Sequence, residues 1–420
     1  MDSLEIKGGT PLHGEVEIGG AKNAVLPIMA ATLLTAEPCI IRRVPRLEDV
    51  RNMAAILRSL GAQVDFKNRT LTIQAAQICP HADYDLVRKM RGSICVLGPL
   101  LARLGQAEVS VPGGCIIGTR PIDLHLKGME GLGARVRNTA GYVRASARRL
   151  TGNDIFLGGR VGPTVLGTAN VLMAATLAKG VTVIESAACE PEVVDLANFL
   201  NAMGARITGA GSPTITVQGV RKLRGAKHSI IPDRIEAATY AIAGVATRGK
   251  VTLKGARADH LKAVFDKLRA MGVTIEQTRG RITCSPPRKF KPVDVTTQPH
   301  PGFPTDVQAQ MMALLTLVPD ISIITERIFE ARWSHASELG RLGANIAIEG
   351  PSAIVKGGAP LSGAPLMASD LRASAALVIG GLVAKGITRI NRIYHLDRGY
   401  EHMDEKLRKL GGKVQRVQQS

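Results

Sequence analysis

Aromatic side chains are scarce in this chain: one Trp, five Tyr and seven Phe make up 3% of 420 residues. That scarcity leaves little material for the base-stacking platforms on which single-strand nucleic-acid binding depends. Long apolar runs are missing as well. The most apolar stretch, ASAALVIGGLVA from Ala373 to Ala384, is shorter than the roughly eighteen residues of a membrane span and lies between Asp370 and Lys385. The opening MDSLEIKGGTPLHGEVEIGG alternates polar and apolar residues and has no continuous hydrophobic core of the secretory kind, so a cytoplasmic protein is expected. Six cysteines (Cys39, Cys79, Cys95, Cys115, Cys189 and Cys284) are scattered with no CxxC pair and no Cys/His cluster. Neither a zinc site nor a disulfide framework is indicated, no metal is expected, and the six read as reduced thiols.

Positive charge, by contrast, is abundant: 54 Lys and Arg against 35 Asp and Glu give a formal net charge of +19. Three readings are open. The charge belongs to a solvated basic surface, to a nucleic-acid partner whose phosphates it neutralises, or to a small, highly anionic substrate that needs only a few of these groups. The length exceeds what one ordinary core organises and points to two domains or a repeat architecture.

A repeat is present. The pattern apolar, Gly, small, polar, apolar recurs as LGAQV (Leu60–Val64), LGARV (Leu132–Val136), MGARI (Met203–Ile207), MGVTI (Met271–Ile275), LGANI (Leu342–Ile346) and LGGKV (Leu410–Val414). Its glycines, Gly61, Gly133, Gly204, Gly272, Gly343 and Gly411, are separated by 72, 71, 68, 71 and 68 residues. Six copies of one unit follow. In each, a helical stretch such as VRNMAAILRSLGA ends at a glycine able to take positive φ, and an alternating strand such as QVDF begins at once.

Every unit carries a second helical stretch, starting near Lys22, Met90, Thr164, Asp233, Thr305 and Asp370, that is apolar on nearly all faces and rich in small residues. Such helices suit the inside of a layer rather than a surface. The fold class expected is therefore α/β, with helices inside sheets and three units in each of two domains. Lys22, Arg91, Asp306, Asp370 and Arg372 fall in or just before the first turns of these helices. Helix starts offer unpaired N–H groups and partial positive charge, so several converging on one place would form an anion site. Each residue also has a plain alternative, since Asp caps helices and Lys or Arg is commonly solvated.

The stretch VPGGCIIGTRPIDLH, Val111 to His125, sets a thiol apart. Cys115 lies among Gly113, Gly114 and Gly118, in a loop read as able to move, and Arg120 follows; nearby positive charge lowers a thiol's pKa. PGGCIIGTRPIDLH resembles the active-site loop of the UDP-N-acetylglucosamine 1-carboxyvinyltransferases, the enolpyruvyl-UDP-GlcNAc synthases. The resemblance continues through GGAKNAVLPIMAATLL, MRGSICVLGPLLARLG, EPEVVDLANFL, PDRIEAATY, FPTDVQAQ, IFEAR, DLRASAALV and IYHLDRGYEHMDEKL, covering essentially the whole chain.

That resemblance implies a two-domain inside-out α/β barrel with a threefold pseudo-repeat per domain, the first spanning 23–231 with the Cys loop at 111–121, the second 1–22 plus 232–420. It implies transfer of the enolpyruvyl group of phosphoenolpyruvate to the 3′-hydroxyl of UDP-GlcNAc with release of phosphate, the first committed step of peptidoglycan precursor synthesis, without metal or organic cofactor. Cys115 is then the general acid, also able to form an adduct with phosphoenolpyruvate and a target for thiol-directed epoxides such as fosfomycin; Asp306 is the base at the sugar hydroxyl. Lys22, Asn23, Arg120, Arg332, Arg372 and Arg398 are implied around phosphoenolpyruvate, Lys22 and Arg398 also as catalytic residues, and Asp370, catalytic as well, assists proton movement or orients its neighbours. Arg91, Arg120, Pro121, Ile122, Asp123, Leu124, Thr164, Val165, Asp306 and Ile328 are implied around UDP-GlcNAc. Partners are those two small molecules, with no nucleic acid and no membrane.

Two places depart from the family pattern. Leu166 stands where a glycine is usual beside the diphosphate, and Arg160 lies out of register with an upstream lysine of some members. Glu190 and Glu192 are expected near the cleft or as caps. The alternatives are a shikimate 3-phosphate enolpyruvyl transferase, whose GNAGTAMR-like segment is replaced here by KMRGSICVLG, and a basic RNA-binding or RNA-end-processing protein, for which no motif is present.

Overall fold

A computed structural model describes residues 2–111 and 122–418. They fall into two compact domains: 20–111 with 122–231, and 2–19 with 232–418. The first crossing lies between Gly19 and Gly20, ahead of the expected 22/23 boundary. Ala21 N–H donates to the Ile231 carbonyl at 2.8 Å, and a Cβ on Gly20 would stand 2.0 Å from the Arg43 carbonyl oxygen, so the chain is already docked on the first domain there. In this division Lys22 falls with the first domain.

Each domain carries three four-stranded sheets of one design. In the first, Lys227–Ser229 runs parallel to Cys39–Arg42, which pairs antiparallel with Thr70–Gln74, which pairs antiparallel with Gln63–Lys67. The other five repeat this order and these directions. The N-terminal segment completes the second domain. Asp2–Lys7 lies between Ile387–Asn391 and Lys413–Gln418, and Gly14–Glu17 runs beside Val251–Lys254. The strands show the one-sided burial of a sheet with its other face in water, as in Thr214–Gln218, where Ile215 and Val217 point inward.

Inside the sheets lie the apolar helices. Lys22–Ala31, Val165–Ala175, Arg234–Ala246 and Leu371–Val383 are buried on almost every face, and Arg234–Ala246, Gln308–Leu315 and Leu371–Val383 pack on one another. Small residues also let these helices approach the sheets closely; Gly244, for instance, lies where a Cβ would come 2.6 Å from Cγ2 of Val251 in the strand Val251–Lys254. Each domain has its own hydrophobic core. All six repeat glycines take positive φ, from 87° at Gly133 to 101° at Gly204, and so end the outer helices as their spacing requires.

Two inner helices do not begin as α-helix. Arg91–Val96 and Thr305–Val307 are 3₁₀ turns leading into Leu97–Leu104 and Gln308–Leu315. Neither turn has a side-chain cap, and tighter i→i+3 bonding satisfies part of the exposed helix end. Among the described residues no helix is long and apolar enough to cross a membrane.

Candidate active site

In the second domain three inner-helix starts meet around one arginine. Asp370 caps Leu371–Val383, accepting from Arg372 N–H at 2.8 Å and Ala373 N–H at 3.0 Å, while Asp233 caps Arg234–Ala246 and Asp306 sits in the 3₁₀ turn before Gln308–Leu315. Arg372, 1% exposed, donates from Nε at 3.3 Å and from Nη2 at 3.2 Å to Asp306 Oδ2. Arg332, also buried, brings Nη1 to 2.9 Å from Asp306 Oδ1. The carboxylate is thus held on both oxygens by guanidinium groups, yet its side chain keeps 26% of its surface open. Charge-assisted, forked contacts of this kind fix orientation as well as charge.

Arg372 is supported from behind. Its guanidinium lies 5.4 Å from the centre of the Tyr400 ring, and the Tyr400 hydroxyl bonds Thr239 Oγ1 at 2.9 Å and accepts from Gln310 Nε2 at 3.0 Å. Burial opposes the charge of Arg372, but Tyr400, Asp306 and Asp233 outweigh it and hold the guanidinium above its ordinary value. Burial likewise raises Tyr400. Arg398, half-buried, follows the short helix Tyr394–Asp397; with burial as the larger cause, its charge lowers His395, which Asp370 pulls the other way. His335 is buried and pushed down to about 4, chiefly by desolvation, with Asp370 raising it and Arg332 lowering it. Ile328, half-buried, donates its N–H to Glu326 Oε1 at 2.8 Å.

In the first domain Lys22, the first residue of its helix, is not solvated: Nζ lies 2.7 Å from Asp49 Oδ2, with both side chains buried. Asn23 beside it is half-buried. Arg91 opens its 3₁₀ turn and lowers His125, which burial, the larger cause, and this charge together push down to about 3. His125 is a neutral imidazole in consequence. Asn170 accepts from Gly98 N–H at 2.7 Å through Oδ1 and donates through Nδ2 to the Ile94 carbonyl at 2.8 Å, so the same amide donates to His125 Nδ1 at 3.1 Å. The imidazole proton is thereby assigned to Nε2.

Ile122 precedes the helix Asp123–Gly131, with Asp123 exposed and Leu124 half-buried. Thr164 caps Val165–Ala175, accepting from Gly167 N–H at 3.2 Å. Val165 and Leu166 pack against the core, so the departure at Leu166 has a packing partner in its own domain. Arg160 is exposed at the tip of the ribbon Gly158–Gly159 and Gly162–Pro163. Glu190 stands at the start of Pro191–Ala202 but makes no side-chain cap bond, against the capping expectation; Glu192 is buried in the first turn. Cys115, Arg120 and Pro121 lie outside the described residues. Asp49, His125, Asn170 and Tyr400 were not legible in the sequence because their partners are distant in the chain; Gln310, Glu326 and His335, which have near as well as distant neighbours, were missed too.

A family model described as EPSP synthase (3-phosphoshikimate 1-carboxyvinyltransferase) matches residues 6–407. The chain belongs to this family of enolpyruvyl-type transferases and has its fold. Among its relatives, a protein of Desulfosudis oleivorans named UDP-N-acetylglucosamine 1-carboxyvinyltransferase is 53% identical over 418 residues, covering 99% of this chain and 100% of that one. UDP-N-acetylglucosamine 1-carboxyvinyltransferase 1 of Caldanaerobacter subterraneus subsp. tengcongensis is 51% identical over 411 residues, 98% of each chain. The crystal structure of the enolpyruvyl transferase NikO from Streptomyces tendae superposes with a TM-score of 0.91 at 29% identity, covering 99% of both chains. An EPSP synthase of Acinetobacter baumannii shares the fold, with a TM-score of 0.75 at 17% identity over 100% of both chains.

Proposed function

We propose that the protein transfers the enolpyruvyl group of phosphoenolpyruvate to the 3′-hydroxyl of UDP-N-acetylglucosamine and releases phosphate, in peptidoglycan precursor synthesis. The observation that carries this reading is the Arg332–Asp306–Arg372 cluster: a partly open carboxylate oriented by two buried cations, at N-termini of inner helices. The relatives' shared name supports UDP-N-acetylglucosamine as acceptor and a carboxyvinyl group as what is transferred; phosphoenolpyruvate as its donor comes from the resemblance of the sequence motifs.

The reaction is addition followed by elimination. The Cys115 thiol gives its proton to the vinyl carbon of phosphoenolpyruvate while the sugar hydroxyl oxygen bonds the adjacent carbon and passes its proton to Asp306. The tetrahedral adduct then returns a proton from its new methyl group to the Cys115 thiolate, re-forms the double bond and expels phosphate, which takes up the proton held by Asp306. Asp306 is suited to the base role because a fixed acceptor oxygen needs no reorganisation at the moment of transfer. Lys22, Asn23, Arg120, Arg332, Arg372 and Arg398 offset the charges of carboxylate and phosphate, and Asp370 holds Arg372 through its backbone. Arg91, Ile122, Asp123, Leu124, Thr164, Val165 and Ile328, with the Arg120–Pro121 pair, bind UDP-GlcNAc.

Phosphate release from phosphoenolpyruvate, measured separately with UDP-GlcNAc and with shikimate 3-phosphate, tests the proposal. Release with the first acceptor alone is expected. Release with shikimate 3-phosphate and none with UDP-GlcNAc would replace it by the other branch of the family.

A further inference from the structure

Glu326 is fully buried and accepts four hydrogen bonds. Its Oε1 takes the Thr297 hydroxyl at 2.7 Å, Ile328 N–H at 2.8 Å and Phe329 N–H at 3.1 Å. Its Oε2 takes the Thr305 hydroxyl at 2.8 Å. Thr305 in turn accepts from Arg332 Nη1 at 2.9 Å, the same nitrogen that lies 2.9 Å from Asp306 Oδ1. Thr297 closes the frame by accepting Arg327 N–H at 2.9 Å.

A carboxylate withdrawn from water is tolerated only where donors occupy its lone pairs, and here the donors come from three separate stretches of chain. One is the strand-end threonine at 297, one is the 327–329 segment, and one is the turn that carries Asp306. What Glu326 adds is a rigid mutual placement of Ile328, Asp306 and Arg332.

We propose that Glu326 is a positioning residue: with Thr305 as its intermediary it fixes the Ile328 backbone, Arg332 and the Asp306 carboxylate as one unit. The proposal rests on the reaction given above for its kinetic consequences. The two arms of the frame are separable. The Oε1 arm sets the Ile328 segment, hence UDP-GlcNAc binding; the Oε2 arm, through Thr305, sets Arg332 and Asp306, hence the proton-transfer step.

Glu326→Gln cannot preserve both arms. If the amide oxygen keeps the three Oε1 donors, the amide nitrogen faces Thr305, which must then accept from it and from Arg332 while its own hydroxyl proton loses its acceptor. If the amide is turned round, the Ile328 and Phe329 N–H groups face a donor and lose their acceptor. Thr305→Val cuts only the second arm, and Thr305→Ser restores its hydroxyl.

The test combines steady-state kinetics of the full chain with amide hydrogen exchange over residues 326–330. Glu326→Gln is expected to raise KM for UDP-GlcNAc and to lower kcat/KM by about tenfold or more, with faster exchange at Ile328 and Phe329. Thr305→Val is expected to lower kcat by about tenfold with KM for UDP-GlcNAc within about threefold, and Thr305→Ser to retain kcat within about threefold. Equal kcat for Thr305→Val and Thr305→Ser, or unchanged exchange at Ile328 and Phe329 in Glu326→Gln, overturns the proposal. Should Glu326→Gln fail to fold, the Thr305 pair decides. Should the wild-type chain release no phosphate with UDP-GlcNAc, the proposed reaction fails, and the exchange comparison still decides the frame.

Discussion

Lys22 Nζ and Asp49 Oδ2 form a 2.7 Å ion pair with both side chains nearly withdrawn from water. A cation placed at a helix start works against the helix dipole, and burial adds to its cost; Asp49 offsets both. Asp49→Asn leaves the ammonium buried without that counter-charge. It is expected to lower unfolding stability by about 3 kcal/mol and to weaken phosphoenolpyruvate binding, since Lys22 no longer has a fixed position. Urea unfolding midpoints with a KM for phosphoenolpyruvate check this; a variant as stable as wild type would show that the pair contributes nothing.

Asp306 is gripped from two sides, and the partners differ in what they supply. Asp306→Asn removes the proton acceptor and is expected to reduce kcat by about a hundredfold or more. Arg372→Lys keeps the charge but loses both the forked donation and the planar contact with Tyr400, so a smaller fall, about tenfold, is expected. Rapid-quench measurement of the chemical step separates the two. A Lys variant as impaired as Asn would mean that Arg372, rather than the carboxylate, limits proton transfer.

The sequence carried the architecture further than the site. Gly61, Gly133, Gly204, Gly272, Gly343 and Gly411 each end a helix locally, so six short patterns were enough to reveal the repeat and the helix-to-strand turns. The inner helices were legible for the same reason, since burial on all faces leaves its mark within a single stretch. Asp49 was not: read alone it is an acidic residue in the first turn of Glu48–Ser59, and only the fold brings it to Lys22. Tyr400 meets Thr239 across 161 positions, and Glu326 gathers donors from residues 297 to 329. No spacing rule joins such residues.

The two buried imidazoles give stability a definite pH dependence. His335 is lowered from 6.5 to about 4 and His125 from 6.5 to about 3, burial being the larger cause in each. A depressed histidine takes up its proton in the unfolded chain first. As pH falls below 6.5, unfolding is therefore favoured, until the folded form also binds the proton near 4 and near 3. In that window each imidazole adds up to about 1.4 kcal/mol of destabilisation per pH unit. Replacing His335 by Gln is expected to flatten the acid limb of the stability curve; an unaltered slope would place the acid sensitivity elsewhere.

Cys115 offers the sharpest chemical test of the proposed reaction. A thiol that serves as general acid gives up a proton, a task a carboxylic acid can share and a methyl group cannot. Cys115→Ala is accordingly expected to lose most turnover at neutral pH, and Cys115→Asp to keep a measurable part, with its rate rising as pH falls because only the protonated carboxyl acts. Alkylation adds a second readout that does not depend on turnover. An epoxide directed at thiols should label Cys115 ahead of the buried Cys39, Cys95 and Cys284, whose thiols burial raises, the last two to about 12. Cys79, which is exposed, is the internal control for simple access. If UDP-GlcNAc speeds labelling at Cys115 and not at Cys79, the substrate acts on the reactive thiol specifically; equal labelling of the two, with Cys115→Ala near wild-type rate, removes the thiol from the mechanism.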